Sequence, residues 1–285
     1  MSPHSHETPV PPVERHIRVN GLRIHYLEWG SPGNRPMVLL HGIARVAHTF
    51  DHAAPHFAGK HHVIAIDMRG HGDSDWDPHA AYLVEDYAKD VEALLDQLGL
   101  KSAVLWGAST GGRVAQVIAG ARPDLVAAVV VEDVGPERPA AISARRGDRM
   151  AQEEAGWASE DELVARLKSG YPRTADSLLR HFARAGSKRR ADGRVVWKRD
   201  PAIQKGFIPT EIWRYVENIT APIVYILGGA STIVPPETQA RLKEVLPQVE
   251  IVTMPGLGHY PVDEDPAGFL AIVDRFLDAH LPGAS

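Results

Sequence analysis

Residues 103–118 read AVLWGASTGGRVAQVI, an apolar run that stops at Gly107, turns sharply around Ser109 and resumes with helical spacing. That pattern describes a strand, a tight turn and a helix, with a hydroxyl at the apex. Glycines at 107 and 111 flank Ser109 at minus two and plus two, where a side chain would collide with the neighbouring strand or helix. Ser109 is therefore the first residue expected to do chemistry, as a nucleophile. A free hydroxyl is a weak nucleophile near neutral pH, so it needs a base.

The surrounding elements indicate where such a base would come from. Arg15–Asn20 and Leu22–Trp29, parted at Gly21, read as a hairpin, while Pro36–His41 and His62–Asp67 are short, nearly all-apolar runs suited to strands buried on both faces. Thr49–Phe57 is expected to be a helix. Val84–Leu98 carries apolar residues at 84, 87, 91, 94, 95 and 98 and is closed by Gly99, a helical stripe with its stop signal. Strands are expected at 103–106, Leu125–Val131, Pro222–Leu227 and Val249–Met254, and helices at 111–121, Pro236–Leu246 and Pro266–Leu281. The alternation implies a mostly parallel sheet with right-handed crossovers. Residues 137–220 break it with charged segments at 159–168 and 175–185 and no convincing buried strand, and so read as a helical cap.

In an open parallel sheet the ligand crevice lies beyond the carboxyl ends of the strands. The residues that end them here are His41-Gly42-Ile43, Asp67, Ser109, Glu132-Asp133, Gly228–Thr232 and Gly256–His259. A hydroxyl, carboxylates and a histidine thus reach one edge.

On these grounds the chain resembles the α/β-hydrolase superfamily over residues 15–282. The likeness is carried by strand order, the HG turn at 41–42, DMRGHGDSD at 67–75, GASTGG at 107–112, the place of the cap and GLGHYP at 256–261. The resemblance implies an eight-stranded, mostly parallel sheet flanked by helices, with core residues 15–136 and 221–285 and a cap over 137–220; residues 1–14, within MSPHSHETPVPPVERH, are expected to be a disordered tail. It also implies a triad of serine, acid and histidine, with an oxyanion hole from the N–H after the nucleophile and one in the loop after the third strand. Those map to Ser109, His259, Thr110 and Ile43.

The acid departs from the common pattern. Many relatives place an aspartate after the seventh strand, three residues beyond a glycine, but Gly228–Val234 offers no carboxylate. The imidazolium formed during attack needs a nearby negative charge, so the acid is expected from Glu132 or Asp133. Asp133 is favoured because it aligns with the Asp-x-Gly-Pro form found in some relatives. Neighbours at a strand end point oppositely, so one of the two faces the histidine. Ser231 would hydrogen-bond within the triad, and His41 would orient its own turn.

Acyl transfer to water is the expected reaction, on a carboxylic ester, lactone or amide of a small molecule. Carbon–carbon bond hydrolysis, cofactor-free perhydrolase or haloperoxidase chemistry, and a non-catalytic receptor are the alternatives. Serine at the turn argues against the haloalkane dehalogenases and epoxide hydrolases, whose members use aspartate. One relative with its acid after the sixth strand hydrolyses an acetamidomethylene-succinate; another opens the lactone of zearalenone. Arg145, Arg146 and Arg149 would hang over the crevice and suit a carboxylate-bearing substrate, and Trp197 would line the pocket.

Composition bounds the remainder. The chain has 285 residues, 44% of them hydrophobic, enough for a large core. With no cysteine it has no disulfide and no thiolate metal site, which fits a reducing compartment. No leader pattern and no span of bilayer length is present, so a cytoplasmic location without membrane contact is expected. The net charge of −5 argues against nucleic acid as a partner. Residues 137–220 hold 17 Lys and Arg against 12 Asp and Glu, a positive segment in an acidic protein. No metal and no cofactor are expected: His61, His62, His4 and His6 lack a ligand context, and Asp67–Asp75 reads as a stabilised turn. Oligomeric state is left open, a homodimer being one option.

Overall fold

A computed structural model describes residues 11–137, 153–205 and 210–281. Eight strands form one sheet: β1 (Val13–Val19), β2 (Leu22–Trp29), β3 (Arg35–Leu40), β4 (His61–Ile66), β5 (Ala103–Ala108), β6 (Val126–Glu132), β7 (Ile223–Gly228) and β8 (Glu250–Met254). Their spatial order is β1-β2-β4-β3-β5-β6-β7-β8, antiparallel from β1 through β4 and parallel from there on. β1 starts two residues before the expected strand start at Arg15, because Val13 and Glu14 pair through their backbones with Glu28 and Leu27. That pairing leaves no mark on an exposed edge sequence.

Both faces of the sheet are covered, which is why β3 to β7 are almost wholly apolar. Val38, Leu40, Leu105, Val129, Val131 and Tyr225 point to the face packed by α1 (Val84–Gln97) and α2 (Thr110–Ala121). Their strand neighbours Leu39, Val104, Trp106, Val130, Val224 and Ile226 point to the other, under the closing helix Pro266–His280. Each fully buried aliphatic side chain contributes about 1.5–3 kcal/mol of transfer free energy. A helix was expected over Thr49–Phe57. The chain instead makes a 3-10 turn at Ala47–Phe50 and one helical turn at Ala54–Phe57, because Pro55 has no N–H to continue a helix through residue 51.

Between β6 and β7 the described residues form α3 (Glu160–Gly170), α4 (Asp176–Gly186) and an apolar cluster of their own that includes Trp157, Leu163, Leu167, Leu179 and Phe182. The segment is not purely helical. Ser187–Arg189 pairs antiparallel with Val195–Trp197 around a turn that uses Gly193 at φ +84°. Two three-residue strands are too short to show a periodicity. Among the described residues no helix is long and apolar enough to cross a membrane.

Candidate active site

Strand register builds the site. Ala108 pairs with Glu132, and Glu132 with Ile226, so the residues that follow β5 and β6 leave the sheet side by side. The Ser109 N–H donates to the Glu132 carbonyl (3.0 Å), and the Asp133 N–H to that of Ile226 (3.0 Å). Both side chains sit at positive φ, Ser109 at 53° and Asp133 at 45°, so each breaks the alternation of its strand and turns its functional group to the edge. The turn at Ser109 depends on absent side chains: a Cβ on Gly107 would lie 2.2 Å from the Gly111 carbonyl oxygen, and one on Gly111 2.0 Å from that of Leu40.

His259 arrives from the loop after β8. That loop approaches the end of β7 so closely that a Cβ on Gly228 would lie 1.9 Å from the Gly258 oxygen. His259 Nε2 is 3.0 Å from Ser109 Oγ, and its Nδ1 is 2.8 Å from Asp133 Oδ2. A carboxylate only accepts, so Nδ1 carries the proton and Nε2 is free to accept one from the serine. Asp133 is buried and accepts two further bonds, from the Gly228 N–H (3.0 Å) and from Ser231 Oγ (2.5 Å). Ser231 stands three residues beyond Gly228, where many relatives carry the acid, and here it donates to the carboxylate from the neighbouring strand.

Glu132 points away. One of its carboxylate oxygens accepts the Val262 N–H (3.1 Å), and burial, with Asp263 and Asp133 nearby, pushes its pKa well up. It braces the loop beyond His259 from a buried position that favours its neutral form.

The loop after β3 closes the opposite side. A Cβ on Gly42 would fall 3.2 Å from Ser109 Cβ and 2.3 Å from the Tyr260 hydroxyl, which places the 42–43 peptide against the serine. His41 fixes that peptide: its Nδ1–H donates to the Gly42 carbonyl (2.8 Å) while Nε2 accepts the Met68 N–H (3.1 Å). In a trans peptide the Ile43 N–H must point opposite to the Gly42 carbonyl. Burial lowers the His41 pKa, in keeping with a ring that must stay neutral to accept from Met68. Thr110 opens α2, where its N–H has no carbonyl within the helix to bond. The Asp67–Asp75 turn is internally satisfied: Asp67 accepts from Ala47 N–H, Asp73 N–H and His25, and Arg69 pairs with Asp90 at 2.5 and 2.6 Å.

Some neighbours had no sequence signal. Arg45 is buried with its guanidinium 2.8 Å from Asp263 and over the rings of Phe182 and Tyr260, both 4.3 Å from centroid, and Tyr171 at 5.0 Å. Tyr260 lies beside His259, ring centroids 4.5 Å apart, and Tyr171 meets Tyr260 edge-on at 5.6 Å. Tyr171 also borders a cavity of about 220 Å³ in the inserted segment, lined by Trp157, Arg166, Leu167, Trp197 and Glu153. Trp197 is thus at a cavity wall; Arg145, Arg146 and Arg149 lie outside the described residues.

With this geometry in view, the chain belongs to the α/β-hydrolase fold family, whose model matches residues 35–266. It is 30% identical to the mouse sn-1-specific diacylglycerol lipase ABHD11, over 85% of this chain and 80% of that protein. It is 27% identical to the 2-(acetamidomethylene)succinate hydrolase of Mesorhizobium japonicum, over 94% and 96% respectively. The crystal structure of an E-2-(acetamidomethylene)succinate hydrolase superposes with a TM-score of 0.85 at 26% identity, covering 94% of this chain and 99% of that one. The chain is accordingly an enzyme of the hydrolase class.

Proposed function

We propose that this protein is a serine hydrolase that cleaves a small carboxylate-bearing ester, lactone or amide through an acyl-enzyme on Ser109. The observation that carries the reading is the chain of two hydrogen bonds, Ser109 Oγ to His259 Nε2 and His259 Nδ1 to Asp133 Oδ2. As Ser109 Oγ attacks the substrate carbonyl carbon, its proton passes to Nε2, and the imidazolium is held between the new tetrahedral centre and the Asp133 carboxylate. The N–H groups of Ile43 and Thr110 receive the developing oxyanion, each worth about 3 kcal/mol of transition-state stabilisation. Collapse expels the alcohol or amine with the proton from Nε2. Water then repeats the sequence, giving its proton to His259 and its oxygen to the acyl carbon, and Ser109 is released.

Two features support an anionic substrate. The cavity beside Tyr171 has Arg166 in its wall, while its carboxylate, Glu153, is already paired with Arg199. A relative similar over nearly the whole chain is named for a substrate that joins an acetamido group to a dicarboxylate. In this reading the inserted segment is a cap over the acyl site and the cavity takes the acid end of the substrate.

A fluorophosphonate probe should label the wild-type protein at Ser109 and leave Ser109→Ala unlabelled. With a panel of p-nitrophenyl esters and amides, Arg166→Ala should raise KM roughly tenfold for carboxylate-bearing members and leave neutral ones unchanged. A wild-type protein that neither takes the probe nor turns over any ester, lactone or amide would sink the proposal; equal effects of Arg166→Ala on charged and neutral substrates would remove its anionic part.

A further inference from the structure

The geometry points to a binding site for one divalent transition-metal ion, of the zinc class, formed by His48, Asp51 and His181 and clamping α4 to the core turn that follows β3. His48 Nδ1 lies 2.9 Å from Asp51 Oδ2, and His181 Nε2 lies 3.0 Å from the same oxygen. One ligand atom from each residue falls within 4.8 Å of the other two. A tetrahedral ion with nitrogen and oxygen ligands at about 2.0–2.1 Å holds its donors about 3.3 Å apart. Small side-chain rotations would therefore suffice to seat it. Two imidazoles and a carboxylate are a donor set suited to zinc, copper or nickel rather than to calcium or magnesium.

The carboxylate itself is unevenly used. Its Oδ2 serves both histidines, while its Oδ1 is buried without a hydrogen-bond partner. A cation on the carboxylate would offset that orphaned acceptor and free both rings to bind through neutral nitrogen. The site is also reachable: the side chains of His48, Asp51 and His181 are 22%, 22% and 41% exposed, so an ion can enter from solvent and complete its shell with water. A second cluster, His25, Asp67 and Asp73, meets the same distance criterion and fails on chemistry. There the His25 and Asp67 side chains are 2% and 1% exposed, which leaves an ion no path from solvent, and Asp67 already accepts the Ala47 and Asp73 N–H groups as well as the His25 ring.

The consequence is mechanical. His48 and Asp51 lie three apart, on one side of the 3-10 turn, whereas His181 comes from α4 in the inserted segment; its Nε2 also lies 3.1 Å from the His48 carbonyl, a contact the ion would replace. An ion held by all three joins the core to the insertion one residue from Phe182, which packs on Arg45.

The test is titration of the full chain with Zn²⁺ by calorimetry, with Co²⁺ as a visible-absorbing substitute, alongside melting curves. Wild type should bind one ion whose saturation raises Tm by roughly 5 °C, with Co²⁺ giving a tetrahedral-type absorption band. Both signals should disappear in His181→Ala and in His48→Ala, and persist in His259→Ala, which removes an imidazole outside the cluster. Should His48→Ala fail to fold, the half-exposed His181 carries the test alone. Unchanged binding in His181→Ala, loss of the signals in His259→Ala, or no binding by wild type at millimolar Zn²⁺ would each overturn the site, and none of these results bears on whether Ser109 is a nucleophile.

Discussion

Two adjacent carboxyls, Glu132 and Asp133, differ by one step along the chain and face opposite environments. Asp133 accepts three hydrogen bonds at the sheet edge, one of them from His259; Glu132 is sealed inside, where burial favours its neutral form. Asp133→Asn should therefore lower kcat by about 10³–10⁴-fold, because an amide can present an N–H to Nδ1 and invert the tautomer. Glu132→Gln should leave kcat within a few fold, since the amide fills the same volume and still accepts from Val262. Steady-state kinetics on one activated ester reads both; equal losses would show that the pair does not divide as proposed. His41 gives a pH prediction. Its ring and that of His71, 4.9 Å apart, are both buried, and burial lowers both pKa values from 6.5, that of His71 to about 3. Below 6.5 the unfolded chain binds protons that the folded one refuses, so the stability these neutral rings confer is complete above about pH 6.5 and lost as pH falls toward 3. Each such proton steepens the loss by ~1.4 kcal/mol per pH unit. His41→Gln should flatten the fall of Tm between pH 6.5 and 4.5 relative to wild type, as melting curves across that range would reveal.

At the scale of elements, the strand-to-helix turn at Ser109 is set by backbone approach rather than by side-chain bonds. Gly107→Ala and Gly111→Ala each push a methyl to within about 2 Å of a carbonyl oxygen in a neighbouring segment, and neither backbone can retreat without displacing β3 or α2. Each should cost about 3 kcal/mol or more of stability, measurable by urea unfolding, and should abolish probe labelling at Ser109 even where folding survives. By contrast Gly21, whose φ is +83° with open space around it, marks a hairpin turn where alanine pays only conformational strain of ~1 kcal/mol.

For the whole molecule, Arg45 holds the core and the inserted segment together. Its charge is met by Asp263 from the stretch just beyond His259, and its faces by Tyr260 of the core and by Tyr171 and Phe182 of the insertion. Arg45→Ala would leave Asp263 buried without its cation, costing about 3–5 kcal/mol and lowering Tm by roughly 10 °C. The double variant Arg45→Met with Asp263→Leu should regain most of that loss, since a buried ion pair replaced by apolar side chains of similar size is often neutral. Differential scanning calorimetry of the three proteins decides whether the pair or the packing matters.

Local chemistry made much of this visible in the sequence. Glycines at 107 and 111 around Ser109 and apolar runs ending in polar residues point to Ser109 and bring a histidine and carboxylates to one sheet edge, because strand burial and tight turns write themselves into neighbouring residues; the roles of His259 and of the 132–133 pair come from the family resemblance together with the missing carboxylate after β7. The Asp-x-Gly-Pro pattern already favours Asp133 over Glu132, and the backbone turn to φ 45° just past β6 supplies the physical reason; the partners of Arg45 and the meeting of His48 and Asp51 with His181 needed the packing of the insertion on the core. Those contacts join residues more than 100 positions apart, and no period of hydrophobicity encodes which distant side chains a sheet order and a crossover will bring into one place.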